Sequence, residues 1–144
     1  MDDDARARRI LATSPLVAVL GIHHDLARPA GYVPAYLHEH GYEVHGVNPA
    51  LAGRVSCGRP VVATLADLEL GGRRLDLVDV FRRTEAIADH LPELLAARPR
   101  VVWLQLGLRH DAVAAALTAA GIEVVQDRCT LADHRRFGLG RPAA

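Results

Sequence analysis

Leu16-Val17-Ala18-Val19-Leu20-Gly21 is the stretch on which the reading of this chain turns. Five apolar residues follow one another without polar alternation and stop at a glycine. A strand with one wet face alternates, whereas a strand covered on both faces does not, so the run reads as a buried strand of a parallel sheet.

Working outward, the same unit recurs. Val44-His45-Gly46-Val47 precedes Asn48-Pro49, Leu75 to Val80 precedes Phe81-Arg82-Arg83, Val101 to Leu106 precedes Gly107, and Ile122 to Val125 precedes Gln126-Asp127-Arg128-Cys129. Helical stretches separate them. Residues 3–12 read as a short amphipathic helix ended by Thr13-Ser14-Pro15. Tyr32 to His40 places Val33, Tyr36 and Leu37 on one face, with Pro34 in the first turn and Gly41 as the stop. Thr84 is a suitable N-cap for 85–97, where Ile87, Leu91, Leu94 and Leu95 share a face and Pro92 either kinks the helix or starts a second one. Asp111 to Ala120 is Ala-rich and ends at Gly121. The segment 50–72 is irregular, with one helical turn expected at Thr64-Leu65-Ala66-Asp67.

Strands alternating with helices of this length pair in parallel through right-handed crossovers. The expected fold is α/β: a Rossmann-like, doubly wound, five-stranded parallel sheet between two helix layers, in strand order 3-2-1-4-5. One domain is expected over residues 1–144, with its core at about 14–136.

Half of the 144 residues are hydrophobic, and Lys+Arg and Asp+Glu balance at 17 each. That balance argues against a general nucleic-acid binder, which needs a basic surface, while leaving room for a basic patch around one anionic ligand. No apolar run reaches the roughly 18 residues that would suggest a membrane span. The N-terminal stretch is acidic first and has no apolar core of a secretory signal. Cys57 and Cys129 lie far apart and make no metal-type cluster, so a reducing, cytoplasmic setting is expected.

Folds of this kind bind ligands beyond the C-terminal ends of their strands, which singles out the loops 21–31, 48–51, 81–84, 105–110 and 126–130. The first of these lacks the second and third glycines of a G-x-G-x-x-G loop and is several residues too long for one. The second strand ends in Asn48-Pro49, where an NAD site usually has an acidic residue for the ribose. Both departures argue against NAD.

Several blocks, in order, carry a resemblance: Val19-Leu20-Gly21, Arg28-Pro29, Tyr36-Leu37, His40-Gly41-Tyr42, Val47-Asn48-Pro49, Asp79 to Arg83, Trp103 to Gly107, and Asp127-Arg128-Cys129. From about residue 14 to 136 the chain resembles the free-standing CoA-binding domain family, which is similar to the nucleotide-binding half of the succinyl-CoA synthetase α subunit. The resemblance implies CoA or an acyl-CoA lying across the C-terminal edge of the sheet. Backbone N–H groups of Gly21, Ile22, His23 and His24 would meet the phosphates, with Arg28-Pro29 and Tyr32 at the end of the same loop. Asn48 and Pro49 would border the adenine or ribose, and Val80, Phe81, Arg82, Gln105, Leu106 and Gly107 would line the route of the pantetheine arm. Cys129 would stand at the same edge, near the thiol end. The family's commonest first loop has small residues where His23 and His24 stand here. A ligand with a diphosphate and a 3′-phosphate calls for converging cations, which Arg28, Arg82 and Arg83 can supply.

No metal site is expected. His23-His24 read as polar loop residues, and His38 and His40 diverge on their helix. Cys129 reads as a small packing residue or a nucleophile, Cys57 as neither, Trp103 as core, and Asp79 as a local structural hydrogen-bonding group. No nucleophile elbow, phosphate-binding G-x-x-x-x-G-K loop or H-E-x-x-H is present. The phosphorylated histidine of the synthetase belongs to a second domain, so the resemblance implies binding without a complete catalytic site. Two alternatives stay open: a small NAD(P)- or acyl-CoA-dependent enzyme using Cys129, Asp127 or His134, and an interaction protein whose ligand site has decayed. The helix at 5–12 either docks on its own domain or on a second copy, and an unknown protein partner is equally open.

Overall fold

The structure, a computed structural model, describes residues 2–143. Helix α1 (Asp3–Ala12) starts at Asp2, whose carboxylate accepts a hydrogen bond from the Ala5 amide at 2.7 Å. Acidic residues in its first turn and Arg9 in its last suit the helix dipole. Ala7, Ile10 and Leu11 are buried beneath it, so α1 docks on its own sheet. Strand β1 (Leu16–Leu20) is buried along its whole length, as its unbroken apolar run requires.

There follow α2 (Pro29–Glu39), β2 (Glu43–Val47), a two-residue pair β3 (Val55–Ser56) and β4 (Arg59–Pro60), then β5 (Leu77–Val80). The chain continues through α3 (Thr84–Ile87), α4 (Leu91–Ala97), β6 (Val101–Leu104), α5 (Asp111–Ala119), β7 (Glu123–Val125) and α6 (Thr130–Arg136). Five parallel strands form one sheet in the order β2-β1-β5-β6-β7. Residues of α1, α2 and α6 cover one face over Val17, Val19, Leu77 and Trp103. Residues of α3, α4, α5 and the 65–67 turn cover the other over Ala18, Leu20, Val78 and Leu104. The doubly wound, three-layer architecture is the one expected.

Numbered by the five main strands, the order is 2-1-3-4-5, which corrects the expected 3-2-1-4-5. The outer edge of β2 is already occupied. Val62 bridges Val47 there, its amide bonding Gly46 O at 3.1 Å, and its carbonyl receives Asn48 N at 2.9 Å. With that edge covered by the 53–62 segment, the chain crosses the sheet and β5 pairs with β1 instead. The residue types agree in retrospect: β2 carries Glu43 and His45, as an edge strand can, while β1 is apolar throughout.

Two helices begin differently from expectation. Helix α2 starts at Pro29, so Pro34 lies inside it. The 85–97 stretch divides at Pro92, which occupies the first turn of α4, and Thr84 lies within α3 instead of capping it.

Candidate functional site

The order 2-1-3-4-5 reverses direction between β1 and β5, and the loops leaving those two strands diverge there to open a crevice. Gly21 closes the end of β1 at φ +94°, and a Cβ on it would stand 2.3 Å from the Phe81 carbonyl oxygen at the end of β5. Only glycine permits that approach. The Gly21 amide bonds Val47 O at 2.8 Å and Phe81 N bonds Leu20 O at 2.8 Å, so three strand ends are tied together at this point.

Proline inside α2 has a consequence here. Pro34 has no N–H to give the Ala30 carbonyl four residues back, and that carbonyl accepts from His23 N at 3.0 Å. Asn48 ties the same loop from the other side, donating from Nδ2 to Ile22 O at 2.8 Å and accepting from Ala50 N at 3.0 Å. Thus the Gly21 and His23 amides, expected to face phosphates, are committed within the protein. In this loop Ile22 and His24 keep amides without a protein acceptor among the described residues. The His23 and His24 rings stack at 4.5 Å, and His23 Nδ1 accepts from Asp25 N.

Three clefts surround this knot. The largest, about 480 Å³, is floored and walled by Pro29, Tyr32, Phe81, Gln105, Leu106 and Cys129, with Arg28, Arg82 and Arg83 at its rim. A second, about 130 Å³, lies across Gly21, Asn48, Pro49 and Thr64 and shares Arg82 with the first. The third, about 230 Å³, takes His23 and His24 together with His38, Arg54 and Cys57. All but three of the expected residues line one or another of these neighbouring clefts. Ile22 and Val80 are 1 % exposed and belong to the core on opposite faces of the sheet, so their side chains reach no cleft, and what Ile22 keeps available is the backbone N–H. Gly107 lines none of the three clefts, and its amide donates to Asp127 Oδ1 at 2.7 Å.

Residues that sequence reasoning passed over complete the site. Glu93 Oε2 accepts from Leu65 N at 3.1 Å and Oε1 accepts from His90 Nδ1–H at 2.6 Å, which leaves His90 Nε2 to accept from Arg82 Nε at 3.2 Å. This chain holds Arg82 between two clefts, and the only hint of it in the sequence was that His90 and Glu93 follow at helical spacing. Arg54, His38 and Cys57 had no local signal at all. Burial pushes the Cys57 thiol up from its ordinary range.

Of the candidates for a chemical role, Asp127 and His134 line none of these clefts. Asp127 is engaged with Gly107, and His134 is fully buried, accepting from Tyr36 Oη at Nδ1 and donating from Nε2 to Gly140 O at 2.9 Å. Burial holds His134 below its usual pKa. Cys129 is half-buried and lines the largest cleft. Asp79 is fully buried beneath the start of α6, its Oδ2 2.9 Å from Thr130 Oγ1, and desolvation pushes its pKa up to about 8. Trp103 is core, with Nε1 donating to Arg128 O at 2.7 Å. Among the described residues no group of three His, Cys, Asp or Glu is arranged to hold a metal, and no helix is long and apolar enough to cross a membrane.

A parallel sheet whose switch point opens into a cleft with a cationic rim defines a Rossmann-like ligand-binding domain. The chain belongs to the CoA binding domain family, whose pattern matches residues 16–135. It is 29% identical over 130 residues to the uncharacterized protein YneT of Bacillus subtilis (strain 168), covering 90% of this chain and 93% of that one. Among solved structures it is similar to cell-free ID.343 from Thermus thermophilus, at 48% identity and a TM-score of 0.88 over 94% of this chain and 98% of that chain. A hypothetical protein from Pyrococcus horikoshii OT3 matches at 27% identity and a TM-score of 0.84, covering 94% and 92%.

Proposed function

We propose that the chain binds CoA or an acyl-CoA across the C-terminal edge of its sheet and serves as a carrier, a sensor or the partner of another enzyme. One observation carries this reading: the 480 Å³ cleft at the switch point has apolar walls and three arginines at its rim. A ligand with a polyanionic head and a long, largely apolar arm matches that division. The residues present fit such a group. Arg28, Arg82 and the free amides of Ile22 and His24 would hold phosphates, Pro49 and Thr64 would border the adenosine, and Phe81, Gln105, Leu106 and Cys129 would receive the arm. When bound, CoA supplies a thiol, or a thioester, at the end of that arm. Binding without catalysis is favoured because Asp127 and His134 are both engaged in structural hydrogen bonds. Two free cysteines suit a reducing compartment, and we infer the cytoplasm.

A thermal-shift titration against CoA, acetyl-CoA, NAD, NADP and ATP tests the reading. A ligand that binds only the folded state raises its stability by roughly 2.7 kcal/mol at a hundredfold excess over Kd. The expected outcome is a shift with CoA or acetyl-CoA and none with NAD. A shift with NAD alone, or no shift with any of the five, would overturn it.

A further inference from the structure

Gln105 is 5 % exposed and lines the largest cleft, and its amide orientation is fixed by the protein. Oε1 accepts from the Thr130 backbone N–H at 3.0 Å and from Thr130 Oγ1 at 3.2 Å. A backbone N–H can only donate, so Oε1 is the end turned toward α6 and Nε2 is the end left to the cleft. Among the described residues Nε2 has no partner, and it is not counted with the fully enclosed orphan atoms, of which Asp79 Oδ1 is the one present. A buried amide held this firmly, with both its hydrogens uncommitted, is a donor waiting for an acceptor.

What holds it is a relay through α6. Thr130 Oγ1 carries a single hydrogen and lies within reach of two oxygens, Asp79 Oδ2 at 2.9 Å and Gln105 Oε1 at 3.2 Å. Asp79 is completely enclosed, and desolvation favours its neutral form; as a neutral acid it can donate to Thr130 Oγ1, freeing the hydroxyl hydrogen for Gln105. Cys129, the neighbour of Thr130, lines the same cleft beside Phe81 and Leu106. The acceptor sought by Nε2 therefore sits in an otherwise apolar channel.

We propose that Gln105 is the carbonyl-recognising group of this cleft, with Nε2 donating to an amide or thioester oxygen of the ligand's arm and Asp79 and Thr130 acting as positioning residues. The inference rests on the CoA reading above. Two carbonyl sources share this chemistry, the pantetheine amides and the thioester of an acyl-CoA, and the test separates them.

Calorimetric titration would compare wild type, Gln105→Met, Thr130→Val and Asp79→Asn with CoA, acetyl-CoA and adenosine 3′,5′-bisphosphate, which has no arm. Gln105→Met should weaken arm-bearing ligands about tenfold and leave the bisphosphate unchanged, which also shows the variant to be folded. Thr130→Val should weaken them less. Asp79→Asn, which keeps a donor toward Thr130, should retain affinity. Equal losses for CoA and acetyl-CoA assign the pantetheine amide, and a loss confined to acetyl-CoA assigns the thioester. Unchanged affinity of Gln105→Met for both arm-bearing ligands, or a parallel loss of the bisphosphate, would overturn the inference. Failure of wild type to bind any of the three would instead remove the CoA reading on which it stands.

Discussion

Asp79 lies in the middle of β5 with Val19 of β1 and Trp103 of β6 as its lateral neighbours, and none of its surface reaches water. A carboxylate there has one hydroxyl for company, and desolvation outweighs that bond, which is why its pKa rises to about 8. The unfolded chain releases the same proton near pH 4. Between those limits the folded state binds more protons than the unfolded one, so stability is greatest below about pH 4 on this account and is lost as pH rises toward about 8. The slope for one such proton approaches about 1.4 kcal/mol per pH unit. Asp79→Asn should flatten the curve. Urea unfolding of the two proteins at a series of pH values from 5 to 8 checks it, and parallel curves would mean that Asp79 titrates normally.

At the scale of elements, apolar runs disclosed β1, β5 and β6 because each is buried along its whole length, and the edge strands β2 and β7 showed as shorter runs beside Glu43 and Glu123. The β3–β4 pair was not legible. Its two-residue strands carry no period, and its turn places Cys57 at φ 53° before Gly58 at φ 76°, whereas the residues that advertise such a turn are Asn, Asp and Gly. Helix α6 was equally hidden, since seven residues with buried Asp133 and His134 give no apolar stripe. Its acidic first turn and basic last turn were the signals available. Those two missed elements bear on the strand order and the cleft: Val62, just after the pair, bridges the edge of β2, and α6 brings Thr130 over Gln105. Loop positions followed from topology, but which amides are committed depends on contacts such as Asn48 to Ile22, remote in sequence. Helix α1 poses the opposite case, readable as a helix yet ambiguous in its partner. Ile10 is 1 % exposed and packs on the sheet of its own chain, and Arg6 and Arg9 pair with Glu123 of β7. Ile10→Ala should cost about 2–4 kcal/mol, and the loss should not change on dilution. A cost that grows at low protein concentration would place the helix on a second copy.

Taken whole, the molecule balances 17 acidic against 17 basic side chains and has no net field with which to draw an anion from a distance. Attraction for a polyphosphate must come from arginines close to it, over a range of about 10 Å at 0.1 M salt. Arg28 and Arg83 have acidic neighbours, Asp25 at 3.7 Å and Glu85 at 4.0 Å, which compete for them. Among the described residues Arg82 forms no ion pair, and it is aimed by His90 and Glu93 at the wall shared by two clefts. It is therefore the cation through which charge and architecture meet. CoA affinity of the wild type should fall as salt rises from about 0.05 M to about 0.5 M, and Arg82→Gln should both weaken binding about tenfold and reduce the salt dependence. His90→Ala separates the two contributions, because it releases the guanidinium without removing its charge. That variant should lose affinity while keeping the wild-type slope. Calorimetry across the salt series reads both quantities, and an unchanged slope in Arg82→Gln would assign the attraction to Arg28 and Arg83 instead.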